Sequence, residues 1–72
     1  MKYVIFNMYS QSGFTGEFYY NGEPEFTYYL HACQLYYSKQ EAIYMKKQLE
    51  RNFGYNCLWV YSYSEVKNKL WE

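Results

Sequence analysis

His31 and Cys33 form the pair of side chains that comes closest to catalytic machinery. A thiol and an imidazole two residues apart share one side of an extended strand, as a cysteine nucleophile and its base would require. However, a catalytic histidine needs a positioned partner to orient its ring, and the sequence contains no Asp. No neighbouring segment supplies an oxyanion hole. We therefore interpret His31 as a surface or interface residue and predict that the protein is not an enzyme.

The same residues also make a poor metal site. Cys33, Cys57 and His31 supply three ligands, one fewer than a tetrahedral zinc site, and they lack paired spacing. The glycines at 13, 16 and 22 are too far apart for a phosphate-binding loop. We predict no metal and no cofactor. The two cysteines are expected to be reduced buried thiols, with a disulfide as the alternative.

Composition narrows the class of protein further. In 72 residues, 7 Lys and Arg balance 7 acidic residues, which excludes a strongly basic nucleic-acid binder and an acidic DNA mimic. Aromatic residues make up 26% of the chain, which excludes intrinsic disorder. We predict one domain over 1–72, located in the cytoplasm and without membrane contact, because no apolar run approaches the ~20 residues of a membrane span.

The elements that must position these side chains follow from periodicity and turn signals. Asn21-Gly22 predicts a type I′ hairpin turn, and Gly16 predicts a bulge or a close backbone approach. Ser38 and Glu41 predict a capping box, and Gly54 predicts the end of the same helix. The segment 30–37 is either a helical turn or extended, and 65–72 is either a short terminal helix or a frayed tail. The pattern predicts strands over 2–9, 14–20, 25–29 and 57–63, with a helix from 38 to about 52.

This order predicts an α+β fold, in which a three- to four-stranded antiparallel sheet carries one helix on one face. The helix has Ala42, Met45, Leu49 and Phe53 on its inner face, flanked by Ile43. Aliphatic positions on the first and last strands are its expected partners: Val4, Phe6, Met8, Leu58 and Val60. The opposite face would then be aromatic and uncovered, with Tyr3, Ile5, Tyr9, Trp59, Tyr61 and Tyr63.

An uncovered aromatic face predicts binding, because exposed apolar patches of that size mark interaction sites. Protein binding fits the zero net charge, since Tyr, Trp and Met are enriched at protein interfaces. Single-stranded nucleic-acid binding is the alternative, with bases stacked on the same rings beside Lys2 and Lys67. A purely structural role is also open, because Tyr rings can cover a small core while their hydroxyls reach water. The predicted partner-binding residues are Tyr3, Tyr9, Trp59, Tyr61 and Tyr63.

The stretch Leu30-x-x-Cys33-x-x-Tyr36-x-Ser38-x-x-Glu41-Ala42 resembles a pattern found in small phage and prophage proteins. Their form is Leu-x-x-Ala-x-x-Phe-x-Ser/Thr-x-x-Glu-Ala, followed by an amphipathic helix and a Val/Ile strand. They also begin with a Tyr-Val-Ile strand and a hairpin, so the resemblance spans about residues 2–62. The resemblance implies a phage accessory protein in the host cytoplasm that binds and modulates a host protein or forms a homodimer. The pattern contains no catalytic residue.

Overall fold

The computed structural model describes residues 1–67, and an antiparallel sheet forms the centre of this part of the chain. The elements are β1 Tyr3–Asn7, β2 Ser12–Phe18, β3 Pro24–Thr27, a 3-10 turn Leu30–Ala32, α1 Lys39–Phe53, β4 Leu58–Ser62 and α2 Tyr63–Glu65. The strand order is β3-β2-β1-β4. One long helix, α1, lies between β3 and β4 in the chain, so the predicted α+β class is confirmed.

Both ends of α1 are closed by local signals. The Oγ atom of Ser38 accepts a hydrogen bond from the Glu41 amide at 3.4 Å, which satisfies one of the unpaired donors of the first turn. At the other end Gly54 adopts φ 77° and donates its N–H to the Glu50 carbonyl oxygen at 3.0 Å. A left-handed residue at this position favours glycine. The predicted helix, its Ser38 N-cap and its Gly54 end are confirmed, but of the predicted capping box the structure shows only the bond from the Glu41 amide to Ser38.

The β2–β3 hairpin closes with a different turn from the one expected. Gly22 has φ 89° and donates to the Tyr19 carbonyl oxygen at 2.8 Å, but Asn21 does not adopt positive φ. The predicted type I′ turn is therefore wrong, and the arrangement is that of a type I turn followed by a left-handed glycine. The cause is local, because the Oδ1 atom of Asn21 accepts the Glu23 amide at 3.0 Å. Asn side chains stabilise turns in this way without a positive φ.

The segment 30–37 contains both of the conformations left open. After the 3-10 turn the chain is extended, and Tyr36 exchanges two backbone hydrogen bonds with Tyr3, at 2.7 and 2.8 Å. This pairing is available because β2 separates from β1 beyond the Phe6–Gly13 pair and turns toward β3. The predicted bulge is confirmed by a register shift between Phe14 and Phe18, on either side of Gly16.

The register of β1 against β4 corrects the predicted core. Val4 lies opposite Tyr61, Ile5 opposite Val60, and Phe6 opposite Trp59. Directly opposed residues share a face of the sheet, so Val4, Phe6 and Met8 cannot share one with Leu58 and Val60. The helix packs instead on a core formed by Ile5, Phe14, Ala42, Leu49 and Leu58, and the predicted inner-face residue Phe53 is exposed at the end of the helix. The predicted alternation along β1 is confirmed, but the predicted match between the faces of β1 and β4 is wrong by one residue, and a shift of one residue exchanges the two faces.

The opposite face of the sheet is covered, contrary to expectation. A second core contains Val4, Phe6, Cys33 and Val66, with Leu30, Leu35, Tyr61 and Tyr63 packed around it. The 3-10 turn and the segment after α2 supply this cover. Val66 is fully buried, so the chain is not frayed at this point. The remainder of the predicted terminal segment, 68–72, lies outside the described residues.

Candidate functional site at the free edge of β4

The structure distributes the five predicted partner-binding aromatics over different environments. Tyr3 is half-buried against the helix-side core, whereas Tyr61 and Tyr63 are half-buried against the second core. Tyr9 follows β1 and is 90% exposed, and Trp59 is 56% exposed. The single aromatic face that would have joined all five does not form, because the register places Tyr3 on the face away from Trp59 and Tyr61.

Tyr61 is held by neighbours within the second core. Its ring makes an edge-to-face contact with Phe6, with ring centroids 6.3 Å apart, and its hydroxyl donates to the Met8 sulfur at 3.6 Å. Such ring pairs contribute ~0.5–1.5 kcal/mol beyond their buried area. Tyr61 therefore has a structural role, and Trp59 is the exposed aromatic residue of β4.

Trp59 borders a groove between β4 and one side of α1. Lys39, Ile43 and Lys46 line it from the helix, and Trp59 and Val60 line it from the strand. The three helix residues are separated by four and three positions in the sequence, which places them on one side of α1. The groove has a volume of about 360 Å³. We call these five residues the β4-edge groove.

The backbone of β4 directs alternate residues outward beside this groove. Cys57 accepts from the Met8 amide at 2.9 Å, and Tyr63 donates to the Lys2 carbonyl oxygen at 2.8 Å. In an antiparallel ladder the residues that bond inward alternate with residues that bond outward. Leu58 and Val60 therefore direct their N–H and C=O groups away from β1, along the edge of the sheet.

The two edges of the sheet differ in composition. Edge strand β3 contains Pro24 and Glu25, and the β2–β3 ladder is interrupted by a register shift. Proline, charge and bulges are the usual means of preventing another strand from adding to an edge. The sequence of β4 is Leu-Trp-Val-Tyr-Ser, without proline or charge. Of the two edge strands, β4 is thus the one open to pairing.

Electrostatics add a modest positive character to the β4-edge groove. Lys46 is bound to Glu50 by an ion pair at 2.8 Å between Nζ and Oε2. Lys39 lines the groove from the helix side, and no charged residue faces it from β4, because that strand contains none. The sequence identified Trp59, but it missed the helix residues of the groove. The available signal was the 39, 43, 46 spacing, in which Ile43 lies beside the apolar stripe.

The His31 and Cys33 pair does not form a nucleophilic site. Cys33 is buried, and its Sγ atom donates to the Tyr29 carbonyl oxygen at 3.7 Å. Burial raises the pKa of the Cys33 thiol to about 11, whereas activation of a thiol requires a lowered pKa. The exposed His31 ring lies against Tyr29, with ring centroids 5.7 Å apart. Cys57 is also a free thiol and donates to Oδ1 of Asn7 at 3.1 Å, but it is only half-buried, so the prediction of two buried thiols is wrong for this residue.

The raised pKa of Cys33 predicts slow alkylation. At pH 8 the thiolate fraction of a group with a pKa of about 11 is about a hundredfold smaller than at its ordinary value of 9.0. The folded state holds the thiol proton of Cys33 more tightly than the unfolded state. The protonated thiol therefore contributes its full stabilisation of the folded state below pH 9, and this contribution is lost as the pH rises toward 11. Iodoacetamide labelling followed by mass spectrometry should show that Cys33 reacts at least about a hundredfold more slowly in the native protein than in urea. Equal rates in the two states would contradict the buried position of this thiol.

Residues 1–67 contain neither a metal-binding cluster nor a helix that could span a membrane. No group of three His, Cys, Asp or Glu side chains is placed to hold a metal ion in this part of the chain. None of the helices within it has the length and apolar character to cross a membrane. The chain matches no protein-family model, no curated protein and no solved structure.

Proposed function

We propose that this protein is a non-enzymatic protein-binding module that adds a strand to the β4 edge, and that the added strand is β4 of a second copy. The observation that carries the proposal is the difference between the two edges of the sheet, of which only β3 has proline and charge. Strand addition is a common mode of recognition, in which main-chain hydrogen bonds supply affinity and alternate side chains supply specificity. A two-fold axis is the commonest symmetry of protein oligomers.

The β4 sequence is self-complementary in an antiparallel register centred on Val60. The outward N–H and C=O groups of Val60 then pair with those of Val60 in the other copy. On the face away from α1, Trp59 of one copy lies opposite Tyr61 of the other, at a position without hydrogen bonds, where Cα atoms are ~4.5 Å apart. Aromatic pairs at such positions stabilise sheets. No charges oppose each other along the strand, because β4 has none.

The position of α1 is compatible with this dimer. The helix contacts both β4 and β1, so its axis lies inside the edge of the sheet. With strands ~4.8 Å apart, a helix centred over this pair lies ~10 Å from its copy, near the usual spacing of packed helices. Ile43 from the two copies would meet at the axis and fill the β4-edge groove. Lys46 is already neutralised by Glu50 in each copy.

Sedimentation equilibrium tests the proposal directly. Wild-type protein should dimerise, and Trp59→Lys should raise the dissociation constant at least tenfold, because it removes both aromatic pairs at once. Tyr9→Lys is the matched control, since Tyr9 is an exposed aromatic residue outside the edge. Circular dichroism should show an unchanged fold in both variants.

Hydrogen exchange distinguishes the β4 edge from any other dimer interface. The Val60 amide should exchange more slowly as protein concentration rises, because its outward N–H becomes paired. A dimer in which Val60 exchanges at a rate independent of concentration would overturn the proposal. A wild-type chain that stays monomeric at the highest soluble concentration would do the same, and would leave a foreign partner protein as the occupant.

Single-stranded nucleic-acid binding is a second candidate, favoured by one observation. The exposed ring of Trp59, on the face of β4 away from α1, and the cations Lys39 and Lys46 of α1 border the same edge of the sheet, and aromatic rings with nearby cations bind bases and phosphates. The ion pair of Lys46 with Glu50 and the zero net charge place this candidate second. Fluorescence titration with a single-stranded oligonucleotide, using Trp59→Phe as the control, should show binding that weakens steeply with salt if this function holds.

A further inference from the structure

A second cleft lies on the opposite side of α1 from the β4-edge groove. It is formed where the extended segment after the 3-10 turn meets the first turns of the helix, and its volume is about 600 Å³. Pockets of this size accommodate small organic ligands. The residues that matter for its chemistry are Tyr36, Tyr37, Tyr44, Glu41, Leu35 and Met45. We call this the tyrosine cleft.

The tyrosine cleft combines aromatic rings with an apolar base. Tyr37 and Tyr44 are mostly exposed, at 72% and 65%, so their rings remain accessible to a ligand. Tyr36 is half-buried, and its backbone is fixed by the two hydrogen bonds to Tyr3. Leu35 and Met45 are half-buried against the two cores. The backbone of Tyr36 is therefore fixed, while the two exposed rings can adjust around a bound group.

The charge of the cleft is negative. Among the described residues that line it, Glu41 is the charged one, and its neighbours in the lining are Tyr, Gln, Ser, Leu and Met. Burial raises the pKa of Tyr36 to about 12, so its phenol stays neutral at physiological pH. The Glu41 amide, which could have attracted an anion at the start of α1, is already bonded to Ser38. A cation is thus the ligand charge that the cleft favours.

We propose that the tyrosine cleft binds an organic cation of the quaternary ammonium type. Ring faces attract a cation through their quadrupole, and the attraction is largest for poorly hydrated cations such as tetraalkylammonium groups. Glu41 adds a Coulombic contribution of the same sign. The apolar surfaces of Leu35 and Met45 suit the methyl groups of such a cation better than they suit a hydrated metal ion. This binding site is separate from the β4 edge and does not depend on dimerisation.

An NMR titration with choline chloride tests this assignment. The neutral isostere 3,3-dimethylbutan-1-ol has the same shape without the charge, and sodium chloride matches the ionic strength. The amide signals of Glu41 and Tyr44 should shift when choline is added. The isostere should bind about two- to fivefold more weakly than choline, as expected for an exposed cation–π site. Equal binding of choline and the isostere would overturn the proposal, as would the absence of any shift at the cleft.

Two variants separate the contributions of ring and carboxylate. Tyr44→Ala should weaken choline binding by about two- to fivefold without affecting the fold, because the side chain is exposed. Glu41→Gln should reduce the preference for choline over the isostere. Tyr20→Ala is the matched control, since Tyr20 is fully exposed and lies outside the cleft. A Tyr44→Ala protein that binds choline as tightly as wild type would contradict the site. Trimethyllysine amide, tested in parallel, distinguishes a modified side chain from a free small cation by its tighter binding.

Discussion

Replacing Phe6 with Ala should lower the free energy of unfolding by about 3–5 kcal/mol. Phe6 has no exposed surface, and its ring packs among Val4, Cys33 and Val66 in the second core and against Tyr61. The substitution removes most of a buried ring and leaves a cavity that these neighbours can fill only in part. A 72-residue domain has a total stability of roughly 4–11 kcal/mol. The loss is therefore a large fraction of the total stability, and the variant should unfold at a markedly lower urea concentration than the wild type.

Urea denaturation followed by circular dichroism measures this effect through the midpoint of the transition. Tyr20→Ala is a suitable control, because a fully exposed side chain should change stability by no more than about 0.5 kcal/mol. A loss below about 1 kcal/mol for Phe6→Ala would contradict the second core.

Val66→Ala provides an independent measure of the same core. Val66 is fully buried beside Phe6, although it follows the last strand and the short helix α2. If this part of the chain were frayed, the change would have no measurable effect on unfolding. The structure predicts a loss of about 1–3 kcal/mol from two buried methyl groups and the cavity they leave. The double variant should lose less than the sum of the single losses, because the two side chains share neighbours.

Gly16→Ala should destabilise the protein by about 1–3 kcal/mol for a different reason. Gly16 adopts φ 86°, a conformation that residues with a Cβ atom rarely adopt. A Cβ atom placed on it would also lie 2.5 Å from Oε1 of Gln34 and 3.0 Å from Cβ of the same residue. Both backbone strain and crowding therefore oppose the substitution. The crowding would occur at the residue whose backbone N–H donates to the Phe14 carbonyl oxygen. This hydrogen bond joins the extended segment to β2.

Gly22→Ala is the matched control for backbone strain. Gly22 has nearly the same φ, 89°, but a Cβ atom there would meet no atom within 4 Å. The excess loss in Gly16→Ala over Gly22→Ala, measured by chemical denaturation, thus reports crowding against Gln34. Adding Gln34→Ala should recover part of that excess, because it removes Oε1 while the Cβ contact remains. Equal losses at the two glycines would show that the contact with Gln34 has no energetic role.

Features that depend on neighbouring residues were predictable from the sequence. The α1 helix, its Ser38 cap and its Gly54 end all result from interactions within a few residues. The bulge at Gly16 was also predictable, because glycine is the residue that tolerates the required φ. The hairpin between β2 and β3 was found, although the Asn21 side chain selected a different turn geometry.

The candidate site was predictable only in part. The sequence places Trp59 on the last strand and shows that this strand has no charged residue. Its position at an edge depends on the strand order β3-β2-β1-β4. The groove also needs Ile43 on the helix to lie beside Val60 on the strand, 17 residues away in the sequence. Contacts over such separations leave no local pattern.

Local backbone preferences and periodicity specify the class of fold, the helix with its ends, and the alternation of side chains along each strand, so these features could be predicted from the sequence alone. Tertiary structure alone decided which alternate set of β1 faces the helix, since pairing Val4 with Tyr61 rather than with a neighbour inverts both faces at once. It also decided that Leu30, Leu35 and Val66 cover the other face. The abundant aromatic residues were thus divided between core and surface by strand register, leaving Trp59 at the open edge and three tyrosines around the cleft.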